Sequence, residues 1–393
     1  DAFHARTTMP MTSVSEMPRP LFGAGHALYR ASVARFIANE ITPHHAGWER
    51  AGRVPRQLWR DAGAAGLLCP SIAEAYGGGG GDYLYSAIVV EEIARALATG
   101  VTGFTTHSEN VAPYLLEFGS EAQKREFLPK MTNGEIVGAL AMTEPDAGSD
   151  LKAIRTTAKA VDGGFEITGQ KTFITNGAHA DRVIVFAKTR PEAGARGISL
   201  FWVDTKTPGF AVGRVLDKIG QLAQDTAELF FDKVFVPHDA LIGELNAGFG
   251  CAMSGLVRER LLIALRCAVA LEVALDWTID YVKQRQTFGH ALIDKQYIRF
   301  RLADIKTHAA ATRAFVDSCL AQYLQGQLTA DGAAMVKLWA SEATRAIDDL
   351  MQFFGGNGYM REYPIARAYA DVRPNRIYGG SSEIMREVIA RGL

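Results

Sequence analysis

The sequence predicts an α+β protein of several domains. An N-terminal helical domain is expected over residues 21–136, a middle antiparallel β-domain over 137–242, and a C-terminal helical bundle over 243–393. Three observations carry this reading. Before residue 130, apolar residues recur at i, i+3 and i+4. Short β-branched and aromatic runs bounded by Gly, Asn, Asp and Pro follow, and a long, nearly charge-free helical stretch comes after Gly248. A chain of 393 residues is also too long for one small core, which agrees with the division.

In the first region, GHALYRASVARFIANEI (25–41) and YLYSAIVVEEIARALA (83–98) carry the helical spacing. Between them, YGGGGGDY (76–83) holds five consecutive glycines. A dinucleotide fingerprint needs a preceding strand and a G-x-G-x-x-G spacing into a helix, and PSIAEA is a poor strand. A flexible loop is therefore expected. In the second region FEITGQKTFITNG, DRVIVFAKT, GISLFWVD and TAELFFDKVFVP read as strands. With no helix long enough to join parallel neighbours, antiparallel pairing is expected. In the third, RLLIALRCAVALEVALDWTIDYVKQR (260–285) has only Arg266 and Glu272 as charges between residues 261 and 275. A helix apolar nearly all round is buried on most sides, as in a bundle core or subunit interface.

Composition excludes several classes of function. A formal net charge of −1 gives no broad attraction for nucleic acid or anionic membrane. Four scattered cysteines without a C-x-x-C pair suggest reduced thiols rather than a disulfide framework. The nine histidines show no metal-ligand spacing, so no metal site is expected. No apolar run of about 18 residues is present to span a membrane. The opening DAFHARTTMPMTSVSEM lacks a signal peptide's apolar middle and shows no clear transit peptide. Residues before Met9 or Met11 are kept out of the fold reading, and a cytoplasmic protein is expected.

Five motifs carry chemistry. They are LAMTEPDAGSD (140–150), KTFITNG (171–177), RQTFG (285–289), QFFGGNGY (352–359) and IYGGSSEIM (377–385). In the first, a strand runs into a turn rich in Asp and Gly, whose backbone N–H groups and Thr143 and Ser149 hydroxyls suit a flavin edge or a phosphate. In order and spacing the set resembles the acyl-CoA dehydrogenases, over nearly the whole chain from about Leu21. The resemblance implies FAD. It implies cofactor contacts from Leu140, Met142, Thr143, Gly148 and Ser149, the last also near the start of the acyl-CoA. Phe173, where the family often carries Trp, would cover the isoalloxazine, with Ile174 beside it and Thr175 near its reactive nitrogen. Arg285, with Phe288, would reach the FAD pyrophosphate of a neighbouring subunit. Gln296, Gln352, Gly355 and Gly356 would meet the rest of the cofactor, with Ser381 and Glu383 on the last segment. A site completed across an interface implies a homotetramer or homodimer.

The chemistry implied is loss of a proton from the thioester α-carbon and of a hydride from the β-carbon. A carboxylate base in a dry site and donors to the carbonyl oxygen are then required. The family often keeps that base in a Y-E-G segment, but here Tyr378-Gly379-Gly380 has glycine in the middle. Isovaleryl-type and long-chain members carry the glutamate on the helix after the β-domain, and MSGLVRERLLIA (253–264) is similar to theirs. Glu259 is then the expected catalytic base, with Arg260, Tyr378, Gly379, Gly380 and Ser149 around the substrate. Read alone, Arg258-Glu259-Arg260 would equally serve as a surface charge cluster. The apolar run beyond Arg260 directs the turn inward, and Gly379 leaves room for a carboxylate. Gly250 and Cys251, small and just upstream, are expected to widen an acyl pocket.

The resemblance therefore implies oxidation of an acyl-CoA to the trans-2-enoyl-CoA, in fatty-acid metabolism and β-oxidation. Electrons would pass to an electron-transfer flavoprotein. Alternatives on the same fold are an acyl-carrier-protein dehydrogenase, an acyl-CoA oxidase, a nitroalkane oxidase, which would use Asp, and a flavin monooxygenase. A non-catalytic flavin- or CoA-binding assembly factor is the reading from another class.

Overall fold

The computed structural model describes residues 13–393, so the question of Met9 and Met11 lies outside the described residues. The chain opens with helices α1 (Ala24–Phe36), α2 (Thr42–Ala51), α3 (Arg56–Ala64) and α4 (Tyr83–Arg95). Helices α5 (Thr102–Thr105), α6 (Ala112–Phe118) and α7 (Glu121–Thr132) follow. Local chemistry sets the boundaries: Asp82 accepts from Leu84 N to start α4, and Ser120 and Gln123 close a reciprocal capping box on α7. Two π turns, Ile37–Ile41 and Thr106–Val111, join α1 to α2 and α5 to α6. The glycine run is a loop, but a packed one rather than a flexible one. Gly80 N donates to Ile72 O at 2.8 Å, and a Cβ on Gly78 would stand 2.0 Å from that same carbonyl. Glycine is needed there for close approach of two backbones.

Eight strands form one sheet: β1 (Gly138–Ala141), β2 (Thr157–Val161), β3 (Gly164–Thr175), β4 (Arg182–Lys188), β5 (Ile198–Asp204), β6 (Phe210–Val215), β7 (Thr226–Pro237) and β8 (Leu241–Ile242). Their order is β6-β7-β3-β2-β4-β5-β8, with β1 paired to β4. Most pairs are antiparallel, as expected, but β1 runs parallel to β4 and β2 touches β4 in parallel at Thr157–Lys188. The expectation of antiparallel pairing thus holds for most of the sheet and is corrected at β4. The β2–β3 hairpin supplies the long crossover that a helix would otherwise make.

The third region begins with α8 (Gly248–Gln284), a single helix of 37 residues. A short hairpin of β9 (Gln286–Thr287) and β10 (His290–Ala291) leads into α9 (Gln296–Leu324) and α10 (Ala330–Ala343). Helices α11 (Ala346–Gln352), α12 (Pro364–Val372) and α13 (Ser382–Ala390) complete the chain. From Arg260 to Leu275 every residue of α8 except Arg266 is buried, as the apolar run predicts. No helix among the described residues is long and apolar enough to cross a membrane. All four cysteines are unpaired and buried.

A buried ion network ties the two helical regions together. Arg313 on α9 forks onto Glu272 of α8 at 2.7 and 2.9 Å and reaches Glu91 of α4 at 3.0 Å. Arg19 and Arg30 bind the other oxygen of Glu91 at 2.8 and 2.7 Å. Burial pushes the Glu91 carboxyl up, but Arg313, Arg19 and Arg30 outweigh it and hold it well below the usual carboxylate range. A carboxyl held down in the folded state stabilises it above the unfolded value, and that stabilisation is lost as pH falls towards the folded value. Arg313→Met leaves Glu272 buried without its partner and is expected to destabilise the fold by about 3–5 kcal/mol. Urea unfolding at neutral pH measures it; a loss below about 1 kcal/mol would show that the pair acts like a surface contact.

Candidate active site

Two segments of the β-domain are locked together by a buried cation. Lys171 of β3 is fully buried and donates to Glu144 Oε1 at 2.8 Å and Met142 O at 3.1 Å. Glu144 in turn accepts from Thr156 N at 3.0 Å, and Thr172 N donates to Thr143 O at 3.0 Å. Burial lowers the Lys171 ammonium to about 8, although Glu144 pulls it the other way. The side chains between β1 and Ser149 are thereby presented beside those of β3. Leu140, Met142 and Thr143 are partly exposed, and Gly148 and Ser149 are exposed.

The next residue pair is strained. The β3–β7 register slips between Lys171 and Ile174, and within that bulge Phe173 takes φ +58°. A bulky residue in the left-handed region is an outlier that usually marks function. Phe173 is 67% exposed, while Ile174 points the other way into the β-domain core and Thr175 is partly exposed. The Ile174 side chain is therefore turned away from the exposed face that Phe173 occupies. Asn176, buried with φ +64°, donates to Gly103 O at 3.0 Å and Gly138 O at 3.2 Å, stitching this strand's end to α5 and β1.

Across from the β-domain, α8 carries Glu259. Arg258 and Arg260 beside it are 8% and 6% exposed, so the surface-cluster reading of the three charges does not hold. Arg258 is anchored on Glu109 O at 2.7 Å and Glu117 at 2.8 Å. Glu259 is half-buried and makes neither a hydrogen bond nor an ion pair among the described residues. Burial raises its carboxyl above the ordinary range, with Arg260, Lys337, Arg266 and Arg258 in partial opposition. A Cβ built on Gly379 would stand 3.6 Å from Glu259 Oε1 and 2.4 Å from Ile263 Cδ1. The space a side chain at 379 would enter is thus taken up by α8, and its nearest polar group is this carboxylate. Gly379 and Gly380 have φ +63° and +90°, and neither donates its N–H to a partner among the described residues. Tyr378 is internally satisfied, its hydroxyl donating to Asn375 and accepting from Arg266 at 2.9 Å.

The remaining cofactor candidates lie on exposed ground. Phe288 and Gly289, at φ +52° and +77°, form the turn of the β9–β10 hairpin, and Phe288 is 94% exposed. Arg285, Gln296, Gln352, Gly355 and Gly356 are exposed, and a Cβ on Gly355 or Gly356 meets nothing within 4 Å. Ser381 caps α13 by accepting from Ile384 N, and Glu383 sits exposed in its first turn. Of the two small residues expected to make room for an acyl chain, Gly250 faces open space and Cys251 is buried beside Tyr114 and Leu115 in the core. Sequence reasoning missed Lys171 as the clasp and Lys337 of α10, whose buried ammonium donates to Gly380 O at 2.6 Å. The available signal was a lysine at an apolar position: KTFIT in a strand, AAMVKLWA in a helix.

An exposed strained aromatic, glycines open to solvent, an unpaired, half-buried carboxylate and a buried Arg260 whose Nε has no partner suit the site of a cofactor-dependent oxidoreductase. The family follows from comparison. Residues 24–135, 139–234 and 246–393 match the acyl-CoA dehydrogenase N-terminal, middle and C-terminal domains. The long-chain specific acyl-CoA dehydrogenase of pig mitochondria (Sus scrofa) is 50% identical, covering 95% of this chain and 87% of its own. Isovaleryl-CoA dehydrogenase of rice (Oryza sativa subsp. japonica) is 39% identical over 95% and 92%. The crystal structure of an acyl-CoA dehydrogenase from Geobacillus kaustophilus superposes with a TM-score of 0.94 at 42% identity, covering 95% and 99%. The chain belongs to the acyl-CoA dehydrogenase family, whose members are FAD enzymes oxidising acyl-CoA thioesters. The exposed Phe173 ring, the open backbone at Gly148, Gly355 and Gly356, and the unpartnered Arg260 Nε fit such a group.

Lys171→Met removes the clasp and strands Glu144 in a dry setting. Folding stability is expected to fall by about 3–5 kcal/mol, and the 450 nm to 280 nm absorbance ratio of purified protein to drop several-fold as FAD is lost. Full flavin occupancy in the variant would refute this role.

Proposed function

We propose that Glu259 is the base that removes the α-proton of an acyl-CoA, and that the product is the trans-2-enoyl-CoA. The observation that carries this reading is the unpaired Glu259 carboxylate, whose Oε1 lies 3.6 Å from where a side chain on Gly379 would begin. FAD, when bound, supplies the acceptor for the β-hydride. Glu259 accepts the α-proton, and its partial burial strengthens it as a base. The free N–H groups of Gly379 and Gly380 are the donors at hand for a thioester oxygen as enolate character grows. Arg260, buried with its Nε unpartnered, adds positive charge on the side of the base.

Leu140, Met142, Thr143, Gly148, Ser149, Phe173, Ile174 and Thr175 are proposed to hold the flavin, with Ser381 and Glu383 closing it from the last segment. Arg285, Phe288, Gln296, Gln352, Gly355 and Gly356 are proposed to hold the cofactor of a neighbouring copy. Exposed Phe288, Tyr297, Phe300, Tyr359 and Met360 support a homotetramer or homodimer through this face. Electrons pass to an electron-transfer flavoprotein in this reading. A bacterial-type cytosol, or the mitochondrial matrix in a eukaryote, suits it. Similarity to long-chain and isovaleryl enzymes favours a thioester from one of those two classes.

Anaerobic mixing with acyl-CoAs from C4 to C16 and with isovaleryl-CoA tests both base and substrate. Wild type is expected to bleach with at least one of them, and Glu259→Gln to retain FAD but bleach at least about 100-fold more slowly. Equal rates would remove Glu259 from the reaction. Because the base must be ionised, kcat/KM is expected to fall as pH drops, with the acid limb above the 4.5 of an ordinary glutamate. A profile still flat at pH 4.5 would contradict the raised carboxyl.

A further inference from the structure

We propose that Lys337 is the positioning residue of this base, fixing the Gly379–Gly380 turn against Glu259 and supplying the charge that keeps its carboxylate ionised; the proposal rests on the reading of Glu259 as the base. Lys337 lies on the inner face of α10 with Ala333, Ala334, Val336 and Ala340, all fully buried. Its ammonium has three donors, of which one is used, on Gly380 O at 2.6 Å. It forms no ion pair among the described residues; the nearer carboxylate of α10 in sequence, Glu342, is directed to Arg376 at 3.0 Å and Ser382 at 2.6 Å. A methionine would fill the same volume without the desolvation penalty of a buried charge. Packing therefore does not account for the ammonium. What it holds does: the Gly380 carbonyl bound by the ammonium belongs to the turn in which a Cβ on Gly379 would stand 3.6 Å from Glu259 Oε1, and this places a positive charge on the side of the base.

The α10 helix grips the loop at three points. Lys337 holds Gly380, and Glu342 holds Arg376 and Ser382 on either side. Gly379 and Gly380, both at positive φ, are thereby fixed where their N–H groups stay free. The other groups facing Glu259 are Arg258, Arg260 and Arg266 of its own helix, Tyr378 of the loop and Tyr114 of α6. Cys267 and Glu342 also face Lys337. Of the cations, only Arg258 has an ion-pair partner, Glu117; Arg266 bonds the neutral Tyr378 hydroxyl, Lys337 bonds the Gly380 carbonyl, and Arg260 Nε has no partner among the described residues. Burial lowers the ammonium to about 8 against the pull of Cys267 and Glu259, so it is charged at neutral pH. Sign follows directly: a cation near a carboxyl favours the ionised form, so its removal moves the base's titration upward.

Lys337→Gln keeps a donor for Gly380 O and removes the charge, Lys337→Met removes both, and Lys337→Arg keeps the charge. Each FAD-bound holoenzyme is mixed anaerobically, across pH, with the acyl-CoA that bleaches wild type fastest, beside Glu259→Gln. The acid limb is expected to move up by about one pH unit in the Gln and Met variants, to stay put in the Arg variant, and the rate to recover at higher pH with KM little changed. An unmoved limb, or a loss that no pH restores, overturns the proposal. So does failure of both uncharged variants to fold with FAD, because the ammonium is then a scaffold. If Glu259→Gln bleaches like wild type, the base assignment itself has failed; if it is inert while the Lys337→Gln limb is unmoved, only the role of Lys337 has.

Discussion

The fork of Arg313 onto Glu272, with Glu91 on its far side, is the constraint on which the placement of the site depends. Three buried charges on α4, α8 and α9 meet within hydrogen-bond distance, and a slip of one helical turn, about 5.4 Å, would strand a carboxylate in apolar surroundings. Apolar contacts alone tolerate sliding; paired buried charges do not. Glu272 and Glu259 share one unbroken helix, so the register set at the first is inherited by the second. Arg258 secures the nearer end, bonded to Glu109 O and Glu117 of the segments around α6. The helix is thus held on both sides of the turn that carries Glu259.

The β-domain uses the same device at smaller scale. Lys171 and Glu144 are a buried pair that also binds three backbone groups: Met142 O, Thr156 N and Arg155 N. Such a pair holds two loops in one relative position. That rigidity is what lets Phe173 sit in a bulge at positive φ with its ring outside. Strain of about 1–3 kcal/mol at one residue persists only where the surroundings over-determine it.

Much of this was legible in the sequence because it is local or patterned. The three regions follow from periodicity, and the five motifs lie in short continuous stretches. The inward course of the turn that carries Glu259 was readable from the apolar run after Arg260, and its place beside Gly379 from the missing side chain there. What was not legible is long-range or conformational. The parallel β1–β4 pairing depends on where a hairpin crosses, which no strand composition encodes. The glycine run looked loose because only the fold reveals the Ile72 carbonyl pressed against Gly78. Lys171 and Lys337 carried a readable anomaly, a lysine in an apolar pattern, but their partners lie 27 and 43 residues away.

Burial alone would not single out the carboxylate proposed as the base. Glu91 is buried with three arginines on its oxygens and is held down as a permanent anion, which suits a scaffold. Glu109 is buried with one oxygen unpartnered and is pushed up, as Glu259 is, yet it has no open glycine turn beside it. Glu259 combines three conditions that the others meet only in part. Its carboxylate is unpaired and so free to take a proton, cations stand near it without binding it, and the free N–H groups proposed as oxyanion donors lie in the Gly379–Gly380 turn beside it. A directly bonded arginine would hold the proton affinity too low for an α-carbon acid, and an apolar surround would leave the group protonated at neutral pH. Cations held at a short remove, by a backbone carbonyl in the case of Lys337, satisfy both demands at once.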